Sequence, residues 1–163
     1  MTVTIRALVE SDHPNLRTAT LSNMNWSGTE RFSYKDIDLS AELCHYFDFK
    51  PARGDFGFVA EQDGMTVGVI WLLFLDEKDP GFGFVAQGVP ELSINVFSGY
   101  HAQGIGKTLM RTAMVEATIR KIECVSLSVE EGNPALKLYL DLGFSEAEHA
   151  APGTYVLEAL ARR

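Results

Sequence analysis

The sequence predicts one mixed α/β domain over residues 1–163, and three observations predict it. Strand-like and helical segments are interleaved without strict alternation: a strand, two helices, three strands, a helix, a strand, a helix and two strands. Two apolar, β-prone runs are separated by Gln62-Asp63-Gly64, whose Asp-Gly pair signals a hairpin. Residues 105–122 place Ile105, Leu109, Ala113 and Ala117 at every fourth position and Arg111, Glu116 and Arg120 elsewhere, which marks a long helix with one apolar face. No internal repeat or low-complexity linker divides the chain.

The elements follow in order. Residues 2–7 alternate polar and apolar, as a half-buried strand does. Ser11-Asp12-His13-Pro14 combines capping residues with an early proline, so a helix starts there and runs to about Asn23. A glycine-bearing polar loop, 26–31, precedes a second helix over 34–47, which residues 51–55 break. The hairpin strands are 56–61 and 65–75, the latter carrying the longest apolar run, 69–75. Residues 76–87, rich in Gly, Pro and acid, read as an exposed loop. Then come a strand at 91–97, the long helix, a strand at 125–129 and a helix at 133–142 stopped by Gly143. Two final strands are expected at 144–149 and 155–160.

Bulk properties narrow the class. A run of seven apolar residues falls far short of the roughly 20 needed to cross a bilayer. The first residues lack a basic segment followed by an apolar one, so no secretory signal is expected. Two cysteines, Cys44 and Cys124, supply neither a disulfide framework nor a metal-type spacing. The expectation is a cytoplasmic protein with reduced thiols. A net charge of −8 argues against nucleic acid as partner, because phosphate contacts demand a basic patch. The only basic groups that cluster are Arg111, Arg120 and Lys121 on the long helix and Arg162 and Arg163 at the tail, and they read as solvated surface.

The stretch Asn95–Leu109, NVFSGYHAQGIGKTL, ends a strand in glycines and opens a helix. Gly106-Lys107-Thr108 matches the end of a Walker A loop, but the required glycine five residues earlier is His101. A dinucleotide fingerprint needs a third glycine where Leu109 stands. What remains is simpler. Gly104 and Gly106 let a ligand approach the backbone. The first helix amides lack intrahelical partners and the helix dipole makes that end positive, so a diphosphate fits there. Lys107 and Thr108 add a cation and a hydroxyl. The competing reading is that both glycines merely pack the helix on the sheet.

With these residues in view, the chain resembles the GNAT N-acetyltransferases. Their acetyl-CoA signature is Arg or Gln, two free positions, Gly, one free position, then Gly or Ala. It is met by His101-Ala102-Gln103-Gly104-Ile105-Gly106, apart from His101 at the first position and Ala102 where Gly is frequent. Downstream, Leu127-Ser128-Val129, Asn133-Pro134-Ala135, Leu138-Tyr139 and Leu142-Gly143-Phe144 match the family's strand, Asn and "LY..LGF" in order and distance. Ile5-Arg6-Ala7 is similar to the usual opening strand, so the resemblance covers essentially the whole chain.

The resemblance implies a mostly antiparallel sheet of about seven strands, with a splayed parallel pair (the fourth and fifth) and about four helices. It implies acetyl-CoA as cosubstrate, an amine as acceptor, direct transfer between them, and pairing into homodimers. Gln103, Gly104, Ile105, Gly106, Lys107 and Thr108 would meet the diphosphate, backbone groups of Val96 the pantetheine arm, and Asn133 the CoA while capping its helix. Tyr139 would protonate the departing thiolate. For the general base the candidates are Glu91 and Ser93 with a water relay, and Glu91 is the expected catalytic residue of the two. His101 sits beside the diphosphate, too far from the amine, and His13, His45 and His149 have no constellation around them. Trp26, Tyr34, Trp71, Phe82 and Phe84 are aromatic candidates for an acceptor pocket, and Asp76, Glu77 and Asp79 for attracting a cation. Acceptors in the family range from drugs and polyamines to protein amines, and nothing in the sequence selects among them. The rival function is a non-catalytic acyl-CoA-binding sensor, which would bind CoA without turnover.

Overall fold

The structure, a computed structural model, describes residues 2–158. The tail arginines Arg162 and Arg163 and the expected end of the last strand lie outside the described residues. Seven strands form one mixed sheet: β1 Val3–Ala7, β2 Phe56–Gln62, β3 Met65–Leu73, β4 Glu91–Val96, β5 Cys124–Ser128, β6 Ser145–Glu146 and β7 Thr154–Glu158, in the order β1-β2-β3-β4-β5-β7-β6. Every neighbouring pair is antiparallel except β4 and β5. Among the described residues five α-helices accompany it: α1 His13–Met24, α2 Tyr34–Leu39, α3 Ala41–Cys44, α4 Ile105–Ile119 and α5 Leu136–Asp141.

β3 is buried on both faces, which accounts for its unbroken apolar run. Its residues Val67, Ile70 and Leu72 pack with Leu109, Met110, Ala113 and Ala117 of α4. Val69, Trp71 and Leu73 pack on the opposite face with Leu16 and Ala19 of α1, Ile37 and Leu43. The sheet is therefore sandwiched between α4–α5 and α1–α3. The β2–β3 hairpin turns through Asp63 (φ 53°) and Gly64 (φ 78°), the two left-handed residues that a tight hairpin of this twist requires.

Several boundaries differ from expectation. The expected helix 34–47 is broken: Ser40 is extended (φ −94°, ψ 118°), and single-turn helical segments follow at Ala41–Cys44 and His45–Phe47. The break lets Ile37, Leu43, Tyr46 and Phe47 all face the core, which one straight helix would not allow. α4 ends at Ile119 rather than 122, where Lys121 turns left-handed (φ 62°) and the Ile122 amide reaches back to the Ala117 carbonyl at 2.9 Å. α5 begins at Leu136, because Asn133 and Pro134 shape a preceding turn. β6 is two residues long, as 147–153 turn away.

Candidate active site

β4 and β5 are in register at one pair, Glu91 with Ser126, supported by the Ser126 amide bonding to the Pro90 carbonyl at 3.0 Å. Beyond that pair the strands part. The parting leaves Ser93–Val96 half-buried, whereas the equivalent length of β3 is covered. A parallel pair that opens in mid-sheet leaves backbone groups on both inner edges free to bind something else.

At the far end of β4 the chain turns into α4. Gly99 (φ 93°), Ala102 (φ 61°) and Gly104 (φ 81°) are left-handed, which carries the backbone tightly round. Ala102 adopts this conformation despite its Cβ. The first helical bond runs from the Thr108 amide to the Gly104 carbonyl at 3.0 Å, so the amides of Ile105, Gly106 and Lys107 ahead of it have no intrahelical acceptor. A Cβ on Gly104 would meet nothing within 4 Å, so this turn is open to a ligand. Gly106 instead lies between Val96 and Leu138, where a Cβ would stand 3.6 and 3.8 Å from their side chains. Gln103 and Lys107 are exposed. The Thr108 hydroxyl donates to the Gly104 carbonyl at 3.1 Å, and the His101 ring bonds through Nε2 to the Val96 carbonyl at 2.6 Å. His101 thus braces the turn against the end of β4, and the carbonyl of Val96 already has one partner.

α5 follows β5 as α4 follows β4. Asn133 Oδ1 accepts the Ala135 amide at 3.0 Å, a side-chain cap on the turn that starts α5. Tyr139 is buried against Phe144, ring centroids 6.1 Å apart, and burial pushes its phenol up to about 12. Its hydroxyl has no protein hydrogen-bond partner among the described residues, so it holds a proton that is not committed elsewhere. Gly143 (φ 103°) ends the helix and lets the Phe144 amide return to the Tyr139 carbonyl at 3.0 Å.

Glu91 lies at the other end of the opening, 4% exposed. Its Oε2 accepts the Tyr46 hydroxyl at 2.6 Å and its Oε1 the Gly83 amide at 3.2 Å. Burial pushes its carboxyl up to about 7, while the bonds from Tyr46 and Gly83 favour the ionised form and hold it lower than burial alone would. Strand alternation puts Glu91, Ser93 and Asn95 on the α1–α3 face and Leu92, Ile94 and Val96 on the α4 face. Asn95 donates to Ser22 and Asn23 at the end of α1, at 3.1 and 2.9 Å. Ser126 is fully buried, and its hydroxyl has no protein partner among the described residues.

The 76–87 loop is not wholly exposed. It folds over the start of the opening, where Gly83 packs on the backbone of Leu127 and Ser128, and the Phe82 carbonyl lies 3.5 Å from the Thr154 hydroxyl. Trp71 is core, donating through Nε1 to the Tyr46 carbonyl at 2.7 Å. Tyr34 lies outside, under the Arg17 guanidinium. Phe82 is 45% exposed, Trp26 and Phe84 half-buried. Asp76 caps its own turn on the Lys78 and Asp79 amides. Asp79 bonds His45 Nδ1 at 2.8 Å and His13 packs edge-on to Phe47, so two of the three histidines read as isolated have partners after all. Across the mouth, Arg31 makes two bonds to Glu130, at 3.1 and 2.8 Å, joining the α1–α2 loop to the β5–α5 loop. Tyr46, Gly81 and Gly83 escaped the sequence reading. Tyr46 sat within an apparent continuous helix, and the Gly-Phe-Gly of the loop carried the only local signal.

Because the folded protein keeps a proton on Glu91 that the unfolded chain releases, this group stabilises most below its ordinary value of 4.5 and loses that contribution as pH rises through about 7. Urea midpoints at pH 5.5 and 8 are expected to fall less in Glu91→Gln than in the parent, and equal falls would refute the buried titration.

The "Acetyltransferase (GNAT) family" model matches residues 20–144. No curated protein matches the chain in sequence. Among solved structures, a GNAT-family acetyltransferase from Staphylococcus aureus Mu50 is similar at TM-score 0.72 and 19% identity, covering 97% of this chain and 99% of that one. A GNAT-family acetyltransferase from Brucella melitensis, in complex with acetyl-CoA, is similar at TM-score 0.63 and 18% identity, covering 96% and 88%. A predicted acetyltransferase with acetyl-CoA from Clostridium acetobutylicum is similar at TM-score 0.67 and 19% identity, covering 91% and 93%. No helix among the described residues is long and apolar enough to cross a membrane, and no group of three or more potential metal ligands is found among them.

Proposed function

Given that the chain belongs to the GNAT acetyltransferase family, we propose that it moves an acetyl group from acetyl-CoA directly to a primary amine. The observation that carries this reading is the parted β4–β5 pair with an amide-lined glycine turn at its end. The turn fits a CoA diphosphate. The space over Gly104 is open, the amides of Ile105, Gly106 and Lys107 have no acceptor in the helix, and the dipole of α4 favours an anion there. Gln103, Gly104, Ile105, Gly106 and Lys107 would hold the diphosphate, with Thr108 flanking it and bracing the turn, its amide and its hydroxyl both bonded to the Gly104 carbonyl. Backbone groups of Val96 would take the pantetheine arm, and Asn133 would flank it. When bound, acetyl-CoA supplies an activated acyl thioester.

The chain supplies the rest. Tyr139 keeps its proton at any physiological pH and offers it to the leaving sulfur. Glu91, near 7, is half ionised at neutrality and takes the proton of the ammonium or the attacking amine through a water relay past Ser126. Direct transfer, rather than an acyl-enzyme, is supported by the thiol on β5. Cys124 is pushed up by burial and by Glu158, so it stays protonated and a poor nucleophile. Association as a homodimer is part of the same proposal and is read by light scattering.

The test of cosubstrate binding is thermal. Acetyl-CoA at 100 times its Kd is expected to stabilise by about 2.7 kcal/mol, shifting Tm by several degrees, and ATP is expected to give no shift. Equal protection by both would point to a generic phosphate site. Turnover of acetyl-CoA with a panel of primary amines then separates a transferase from a CoA-binding sensor.

A further inference from the structure

We propose that Tyr46 is a positioning residue for acetyl transfer: its hydroxyl, locked between the Phe82 amide and Glu91, holds the carboxylate where β4 and β5 part. The inference rests on the transferase reading above, in which Glu91 accepts the amine's proton.

The direction of the bonds makes the lock specific. The Phe82 amide donates to the Tyr46 oxygen at 2.7 Å. The single phenolic proton is thereby turned to Glu91 Oε2, at 2.6 Å. The second carboxylate oxygen is held by the Gly83 amide at 3.2 Å. Gly81 closes the remaining side: a Cβ there would collide with Glu91 Oε1 and lie 2.7 Å from the Tyr46 oxygen. Tyr46 is itself enclosed, 7% exposed, stacked on Phe82 with centroids 6.1 Å apart, its carbonyl taken by Trp71 Nε1 at 2.7 Å. The carboxylate thus has one orientation.

No charged side chain among the described residues competes for it. β3 presents Leu73 opposite Glu91 and β5 presents Ser126. The segment carrying Tyr46 also carries His45, whose Nδ1 is bonded to Asp79, and Asp79 acts on Tyr46 rather than on Glu91. The loop contributes Gly81, Phe82 and Gly83. The ionisation of Glu91 is therefore set by its burial, Tyr46 and one amide. Removing the phenolic proton removes the strongest donor to the ionised form.

Two substitutions test this. Tyr46→Phe is expected to raise the titration midpoint of the Glu91 carboxyl, read by carbon-13 NMR, by about one to two pH units from its starting value near 7. The ascending limb of the pH–rate profile, followed as thiol release from acetyl-CoA with an amine panel, should move with it. The rate at pH 7 then falls about 5- to 50-fold and recovers by about pH 9, with the KM for acetyl-CoA unchanged. In a Glu91→Gln background, Tyr46→Phe should add no further loss. Because Tyr46→Phe also strips the Phe82 amide of its acceptor, 3-fluorotyrosine at position 46 serves as the fold-preserving variant. It keeps the oxygen, strengthens the donor and should move both readouts downward. A uniform loss of rate at every pH with an unmoved midpoint in either variant overturns the proposal and leaves Tyr46 a structural residue. A parent protein that binds acetyl-CoA but turns over no amine fails the transferase reading itself, whereas an active parent with unmoved profiles fails only the Tyr46 inference.

Discussion

Tyr139→Phe is expected to lower turnover of acetyl-CoA by about 10²–10⁴-fold, the usual worth of a positioned general acid, while leaving the acetyl-CoA-dependent rise in Tm unchanged. The substitution removes one oxygen and nothing else. The ring keeps its place against Phe144 and its burial, and no protein hydrogen bond among the described residues is lost, so unfolding free energy should change by less than about 1 kcal/mol. That separation gives the experiment its force. A structural tyrosine would lose stability and keep its chemistry; an acid would do the reverse. Burial holds the phenol near 12, so the parent's proton remains in place through pH 10 and the defect should not depend on pH below that. The measurement is thiol release from acetyl-CoA with a panel of primary amines, beside thermal melts with and without acetyl-CoA. Unchanged turnover would remove Tyr139 from the chemistry.

Gly83→Ala is expected to destabilise by about 3 kcal/mol, lowering Tm by roughly 6–12 °C, and to reduce activity as well. The added methyl would stand 2.7 Å from the carbonyl carbon of Leu127 and 2.8 Å from the amide nitrogen of Ser128. Both atoms are backbone, and β5 is held there by its register with Tyr155 and Thr154 of β7. The loop cannot easily retreat either, since its amide is bonded to Glu91. Gly88→Ala is the control. It lies one residue past this loop and has φ 87°, but open space around it, so only the left-handed backbone is penalised, by about 1–2 kcal/mol. Calorimetry of the two variants should show the larger loss at Gly83. Equal losses would mean the loop does not seat on β5.

The parts of the fold that were legible in the sequence are those stabilised by neighbours in the chain. Asp63-Gly64 marked its hairpin because two left-handed residues in a row are a backbone requirement that few residue pairs meet. The apolar positions of α4 marked its buried face, since Leu109, Ala113 and Ala117 recur with the helical period. The glycine turn and the Leu-Gly-Phe end of α5 were visible for the same reason. The 34–47 segment misled because each residue in it tolerates a helix. The break at Ser40 comes from the sheet beneath, which Ile37, Leu43, Tyr46 and Phe47 must all reach. The loop 76–87 misled because its glycines and acids look like solvent-facing composition, whereas Gly81 and Gly83 are small so that the chain can lie on a carboxylate and on a strand.

The sequence by itself determined the glycine turn ahead of α4 and the tyrosine-bearing helix, because each depends on dihedral preference and periodicity within a few residues, whereas the parallel pairing of the strands that carry them was implied only by the family resemblance. Only the tertiary structure decided that Glu91 is buried rather than solvated, that Tyr46 holds it from 45 positions away, and that β4 and β5 meet at a single pair before parting. Those features depend on the dielectric and the donors around a group, and these are supplied by segments distant along the chain.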